Sequence, residues 1–150
     1  MLVDVSTEIV IARPRATVAD FAADPGNVPA WYENIKSVEW KTQAVVAVGS
    51  RIAFVALFLG KQMAYTYEIV EYIPGERLIM QTAEGPFPMQ TTYTWETVAT
   101  GTRMSLRNYG VPTGFSALVA PFMTMAMRRA NQKDLARLKS LLEASPRGAL

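Results

Sequence analysis

The chain has 150 residues, with 15 Lys and Arg, 13 Asp and Glu, and neither His nor Cys. Half of the residues are hydrophobic and 19% are charged, so apolar side chains exceed those of an average soluble domain. The length fits one domain over residues 1–150. Without Cys no disulfide can form, and without His the commonest metal ligand and general base is missing. The composition therefore predicts no metal site and no cofactor.

The charge pattern argues against nucleic acid as a partner. Lys and Arg are scattered without a block of five like charges, and the densest stretch, 128–139, is typical of a solvated helix face.

The first residues alternate in polarity and do not resemble a signal sequence. The apolar runs 52–60 and 118–127 are too short to cross a bilayer. We therefore expect a cytoplasmic protein with no stable membrane insertion.

The first third of the chain predicts one strand followed by two short helices. Residues 3–11 alternate between apolar and polar side chains, which is the period of a half-buried strand. Pro14 ends this strand, and Thr17 is the expected N-cap of a short helix. A turn at residues 24–27 leads to a second short helix over 29–34.

The middle of the chain predicts six further strands joined by short connections. Most of these connections contain glycine, as hairpin turns do, and they imply an antiparallel meander. The predicted strands cover residues 37–42, 51–59, 62–73, 77–83, 87–98 and 102–109.

The last part of the chain predicts one long helix over residues 115–144. Its second half is amphipathic, with Asn131, Leu135, Leu138 and Leu142 on one face. Leu118, Phe122 and Met125 form an apolar row in the first half, which we expect to be the more enclosed part. The fold class is therefore α+β, in which a curved seven-stranded antiparallel sheet grips a long C-terminal helix. A cleft is expected between the two because a curved sheet and one rod do not fill all the space between them.

Alternation along the strands assigns one face of the sheet to the helix side. This face is rich in aromatic residues whose O–H and N–H groups need partners once buried. It comprises Val38, Trp40, Ile52, Phe54, Phe58, Tyr65, Tyr67, Ile69, Leu78, Met80, Tyr93, Trp95, Met104 and Leu106.

The order of these segments resembles the polyketide cyclase/dehydrase and lipid-transport superfamily, also called SRPBCC or START-like, which includes the birch-pollen allergen fold. The resemblance covers nearly the whole chain. It rests on the segments IARP (11–14), DPGN (24–27), VGSRI (48–52), YIPGERL (72–78), GTRM (101–104) and LKSLLE (138–143). It implies a helix-grip fold around an apolar cavity. The catalytic residues of the cyclase members have no counterparts here, partly because the chain has no His.

These observations favour a protein that binds a hydrophobic small molecule, such as a lipid, a polyketide or another aromatic compound, as a carrier or sensor without catalysis. The expected ligand-binding residues are Trp40, Phe54, Phe58, Tyr65, Tyr67, Ile69, Met80, Tyr93, Trp95, Met104, Leu118, Phe122 and Met125. An alternative is an enzyme of the cyclase or dehydratase type, for which Tyr67, Glu71 and Tyr93 are the candidate proton-transfer groups.

A further alternative is an interaction module. Val55, Leu57 and Leu59 should point away from the cleft and form an apolar outer strip, which would suit a homodimer interface.

Overall fold

A computed structural model describes residues 2–58, 60–85, 88–111 and 119–144 of the chain. The strands are β1 (Val3–Ile11), β2 (Ile35–Trp40), β3 (Arg51–Phe58), β4 (Lys61–Ile73), β5 (Arg77–Glu84), β6 (Met89–Val98) and β7 (Gly101–Gly110). The helices are α1 (Arg15–Ala23), α2 (Val28–Trp31) and α3 (Ala120–Ala144).

The predicted α+β helix-grip architecture is confirmed. Each strand begins and ends within two residues of its predicted bounds, since alternation and the glycine turns are both local signals. The predicted cap of α1 is wrong. This helix begins at Arg15, directly after Pro14, so Thr17 lies inside its first turn. Of the predicted start of the long helix, residues 115–118 lie outside the described part of the chain.

The strands form one antiparallel sheet in the order β1-β7-β6-β5-β4-β3-β2. Consecutive strands from β2 to β7 pair as hairpins, and β1 joins the free side of β7. Gly101 makes the β6–β7 turn with a φ of 147°, and a Cβ there would collide with the carbonyl of Ile11. Register shifts within β4 mark irregularities of the bulge type, which bend a strand and help a sheet to curl.

Helix α3 is held against one end of the sheet by its C-terminal half. Leu135, Leu138 and Leu142 are at most 1% exposed and join the main hydrophobic core, as the predicted amphipathic face requires. The Glu143 carboxylate accepts the backbone N–H of Ala12 at 2.8 Å and so ties the end of α3 to the end of β1.

Helix α3 packs mainly against β1 and α2. Strands β3 and β4 lie at the far side of the sheet from β1. A cleft lies between these strands and α3.

Candidate functional site: the cleft between the sheet and helix α3

The cleft contains a cavity of about 140 Å³. Its walls come from the segment after α2, from β2, β3, β4, β6 and β7, and from one face of α3. Most of the lining is apolar or aromatic, as is usual for sites that take small organic molecules. The lining residues are Tyr32, Asn34, Ile35, Phe54, Ala56, Met63, Tyr65, Tyr67, Met89, Asn108, Met123, Met127, Ala130, Asn131 and Asp134.

One end of the cleft is a methionine-rich cluster. Met63, Tyr65 and Met89 are buried together, and Met127 of α3 packs against them. The Tyr65 hydroxyl donates to the Met63 sulfur at 3.2 Å. Burial raises the pKa of Tyr65, so its hydroxyl stays protonated near neutral pH. Unbranched thioether side chains adapt to irregular shapes, so this end can adjust to a ligand.

Tyr67 lies next along the floor of the cleft. Its ring contacts the ring of Phe54 edge-on, with centroids 5.7 Å apart. Burial raises the pKa of Tyr67 to about 12, while hydrogen bonds with Thr91 and Thr82 act in the opposite direction. Thr91 also donates to the Asn108 side-chain oxygen at 2.9 Å. Tyr67 is therefore a neutral hydroxyl fixed by neighbouring side chains.

The other end of the cleft is polar, and α3 supplies it. Asp134 is 2% exposed, and its Oδ1 accepts the backbone N–H of Glu33 at 3.1 Å. Burial raises the pKa of Asp134 to about 6, although the hydrogen bond from Glu33 opposes this shift. Asn131 lies one helical turn earlier, is 5% exposed, and its Nδ2 has no hydrogen-bond partner among the residues described.

A pair of hydrogen-bonded tyrosines, Tyr32 in the wall of the cleft and Tyr93 behind it, lies beside Asp134. The hydroxyls of Tyr32 and Tyr93 are 2.7 Å apart and share a hydrogen bond. Burial raises the pKa of both hydroxyls. Tyr32 lines the cleft, whereas Tyr93 is 2% exposed and lies in the core, where its ring contacts Trp31 and Trp95. Tyr93 therefore supports the wall of the cleft from behind.

The predicted inward face of the sheet is the face that meets the core and the cleft. Three of the predicted ligand-binding residues line the cleft itself: Phe54, Tyr65 and Tyr67. Six others pack in the hydrophobic core or against it: Trp40, Ile69, Met80, Tyr93, Trp95 and Met104. Leu118 and the side chain of Phe58 lie outside the described part of the structure.

The predicted apolar row on the first half of α3 is wrong. Phe122 and Met125 are 69% and 57% exposed, and the cleft is lined instead by Met123 and Met127. The buried face, traced backwards from Leu138 in steps of three and four, passes through 134, 131 and 127. Phe122 and Met125 fall outside this stripe because α3 is one continuous helix with one buried face.

The placement of Glu71 excludes it from the cleft. A register shift in β4 between Ile69 and Glu71 reverses the alternation, so Glu71 pairs with Ile79 on the outer face. There its carboxylate accepts two hydrogen bonds from Arg77, at 2.6 and 3.1 Å. Tyr72 takes the inward position and packs against the core.

The residues that the sequence analysis missed include polar ones on α3 and just after α2. Tyr32, Asn131 and Asp134 all line the cleft. Asn131 and Asp134 lie three residues apart on the same stripe as Leu138, and polar residues in a buried stripe are the signal that could have found them.

Comparison with known families identifies the family of the chain. The family model described as polyketide cyclase/dehydrase and lipid transport matches residues 3–143. The chain belongs to this family. A search among curated proteins found no significant match.

Solved structures show the same fold in other members of the helix-grip class. A Thermus thermophilus protein is 22% identical, with a TM-score of 0.80 over 95% of this chain and 99% of that one. The Zhui aromatase/cyclase from a Streptomyces species is 15% identical, with a TM-score of 0.80 over the whole of both chains. The major latex-like protein of Panax ginseng is 13% identical, with a TM-score of 0.72 over 93% and 96%. At these identities the similarity establishes the fold of this polyketide cyclase/dehydrase and lipid-transport family member.

Among the described residues no group of three acidic side chains is arranged to hold a metal ion. No helix in that part of the chain is long and apolar enough to span a membrane. On the outer face Leu57 is 43% exposed and Val55 is half-buried, whereas Leu59 lies outside the described residues. A homodimer through this strip stays a prediction.

Proposed function

We propose that this protein binds an apolar, ring-containing small molecule in the cleft between the sheet and α3, as a carrier or sensor. The observation that carries the proposal is a cavity of about 140 Å³ with aromatic and methionine walls inside the helix-grip fold. Removing apolar ligand surface from water contributes about 25 cal/mol per Å². A cleft of this composition therefore favours ligands that are mainly hydrocarbon.

The volume limits the size of the ligand. Cavities of roughly 150 Å³ lined by apolar side chains accept benzene, whereas sites for drug-sized molecules span about 300–1,000 Å³. A single substituted ring fits the cleft as it stands. A larger polycyclic or acyl ligand needs its walls to move, and Met63, Met89 and Met127 are the side chains best suited to do so.

The family supports the same proposal. Its description joins polyketide cyclisation with lipid transport, and both imply apolar ligands. The Streptomyces relative is named an aromatase/cyclase. The cleft of the present chain offers aromatic faces from Phe54, Tyr65 and Tyr67, against which a planar ring can stack.

A second candidate function is proton transfer of the cyclase or dehydratase type, and Asp134 is the observation that favours it. A carboxyl group in the cleft with a pKa near 6 can act as acid or base near neutral pH. Tyr67 and Tyr93 are weaker candidates, because burial makes their hydroxyls poorer acids. Deuterium exchange at the acidic C–H of phenylacetone tests this alternative: a carrier leaves the exchange at the buffer rate, and an enzyme accelerates it in a way that Asp134→Asn abolishes.

The proposed binding is tested by titrating p-xylene into protein labelled for amide NMR. We expect saturable shifts at residues of the cleft. Ala130→Phe should abolish them, because Ala130 lines the cleft and a phenyl ring there occupies the cavity. Ala136→Phe is the matched control, since Ala136 is exposed on the same helix. If the wild type shows no saturable shifts, or if both variants bind alike, the cleft is not the binding site.

A further inference from the structure

The polar end of the cleft contains a buried donor without a partner and, one turn further along α3, a carboxylate that can accept a hydrogen bond. The Nδ2 of Asn131 is buried without a hydrogen-bond partner. Asp134 uses Oδ1 to accept the N–H of Glu33, and its Oδ2 is a second oxygen that can accept a hydrogen bond. Both residues line the cleft and both are at least 95% buried.

Buried polar groups are nearly always hydrogen-bonded, because an unpaired one keeps the cost of losing water. The two residues are three positions apart on α3, so their Cβ atoms are roughly 5–6 Å apart and their side chains can reach one ligand atom. Such an atom must accept one hydrogen bond and donate another. A hydroxyl oxygen does both.

We propose that Asn131 and Asp134 recognise a hydroxyl group on the ring of the ligand, which accepts from the Asn131 amide and donates to the Asp134 carboxylate. This inference rests on the proposed function, because it names the ligand class of the same cleft. The hydroxyl would lie near α2, and the apolar body would extend toward Met63 and Met127 at the other end.

The same two residues discriminate against other polar groups. An ammonium group has donors only, so it would pair with Asp134 and leave the Asn131 nitrogen unsatisfied. A carboxylate would bring a second negative charge beside Asp134 in a buried site, which is unfavourable. Phenols and cyclic alcohols are therefore expected to bind better than amines or acids of the same shape.

The test compares four para-substituted toluenes in the same NMR titration: p-cresol, p-xylene, 4-methylbenzylammonium and p-toluate. We expect p-cresol to bind about tenfold or more tightly than p-xylene, as a buried hydrogen bond to a charged group implies. The amine and the acid should bind more weakly than p-cresol. In Asn131→Leu and in Asp134→Asn the advantage of p-cresol over p-xylene should fall several-fold, with p-xylene still bound.

Gln132→Leu is the matched control, because Gln132 is exposed on the same helix and should keep the wild-type ratio. Equal binding of p-cresol and p-xylene by the wild type would overturn the hydroxyl inference and leave the proposed function standing. Tightest binding of the amine or the acid would overturn it as well. An unchanged ratio in both site variants would show that other residues select the hydroxyl. Failure of all four compounds to bind would remove the proposed function itself.

Discussion

Asp134→Asn should stabilise the protein at neutral pH and lose this advantage in acid. The carboxyl group is 2% exposed, and burial raises its pKa from an ordinary 3.8 to about 6. The native state therefore favours the protonated form. Asparagine has the same shape, cannot ionise, and can still accept the Glu33 N–H through its own Oδ1.

The size of the effect follows from the difference in pKa between the native and unfolded states. The protonated carboxyl makes its full contribution to stability below about pH 4, and this contribution is lost as the pH rises through about 6. At 1.36 kcal/mol per pKa unit the total is about 3 kcal/mol. The free energy of unfolding of the variant, minus that of the wild type, should rise by about 2–3 kcal/mol between pH 4 and pH 7.5.

Urea denaturation followed by tryptophan fluorescence at several pH values measures this difference. Asp20→Asn is a matched control, because Asp20 is exposed on α1. A difference for Asp134→Asn that stays flat with pH would refute the reasoning, since it would mean that the carboxyl is solvated in the native protein. A difference that falls as pH rises would mean that a cation holds the carboxylate in its charged form.

Two further predictions concern the supports of the cleft. Tyr32→Phe and Tyr93→Phe should each lower the free energy of unfolding by about 1 kcal/mol, and the double variant should lose less than the sum, because the two hydroxyls share one hydrogen bond of 2.7 Å. Additive losses in chemical denaturation would contradict that shared bond. Leu138→Ala should cost about 2–5 kcal/mol in the same assay because Leu138 is fully buried, whereas Leu141→Ala, at a position 38% exposed, should cost far less. Similar losses at the two positions would mean that α3 is rotated about its axis.

Local patterns were sufficient to predict most of the fold. Strand alternation has a period of two, and a half-buried strand must place its apolar side chains on one face. Phe54, Tyr65 and Tyr67 were therefore assigned to the correct face, and all three line the cleft. The face of α3 that carries Leu135 and Leu138 followed in the same way from the helical period.

Where one strand departs from regular alternation, the local pattern fails. The register shift after Ile69 moves Glu71 to the outer face, beside Arg77. An irregularity of this kind leaves the apolar pattern of the sequence almost intact. Strict alternation therefore assigns the residues after it to the wrong face of the sheet. The helical pattern failed in the first half of α3 as well. Phe122 and Met125 are apolar and helically spaced, yet both are exposed.

The sequence by itself determined the strands, the long helix and the inward aromatic face, because each depends on residues close together in the chain. Only the tertiary structure decided where the cleft lies and which groups meet in it. Asp134 receives its hydrogen bond from Glu33, 101 residues away, and Tyr32 meets Tyr93 across 61 residues. Such contacts depend on how α2, α3 and the curved sheet pack together, and no periodicity within one segment records that packing.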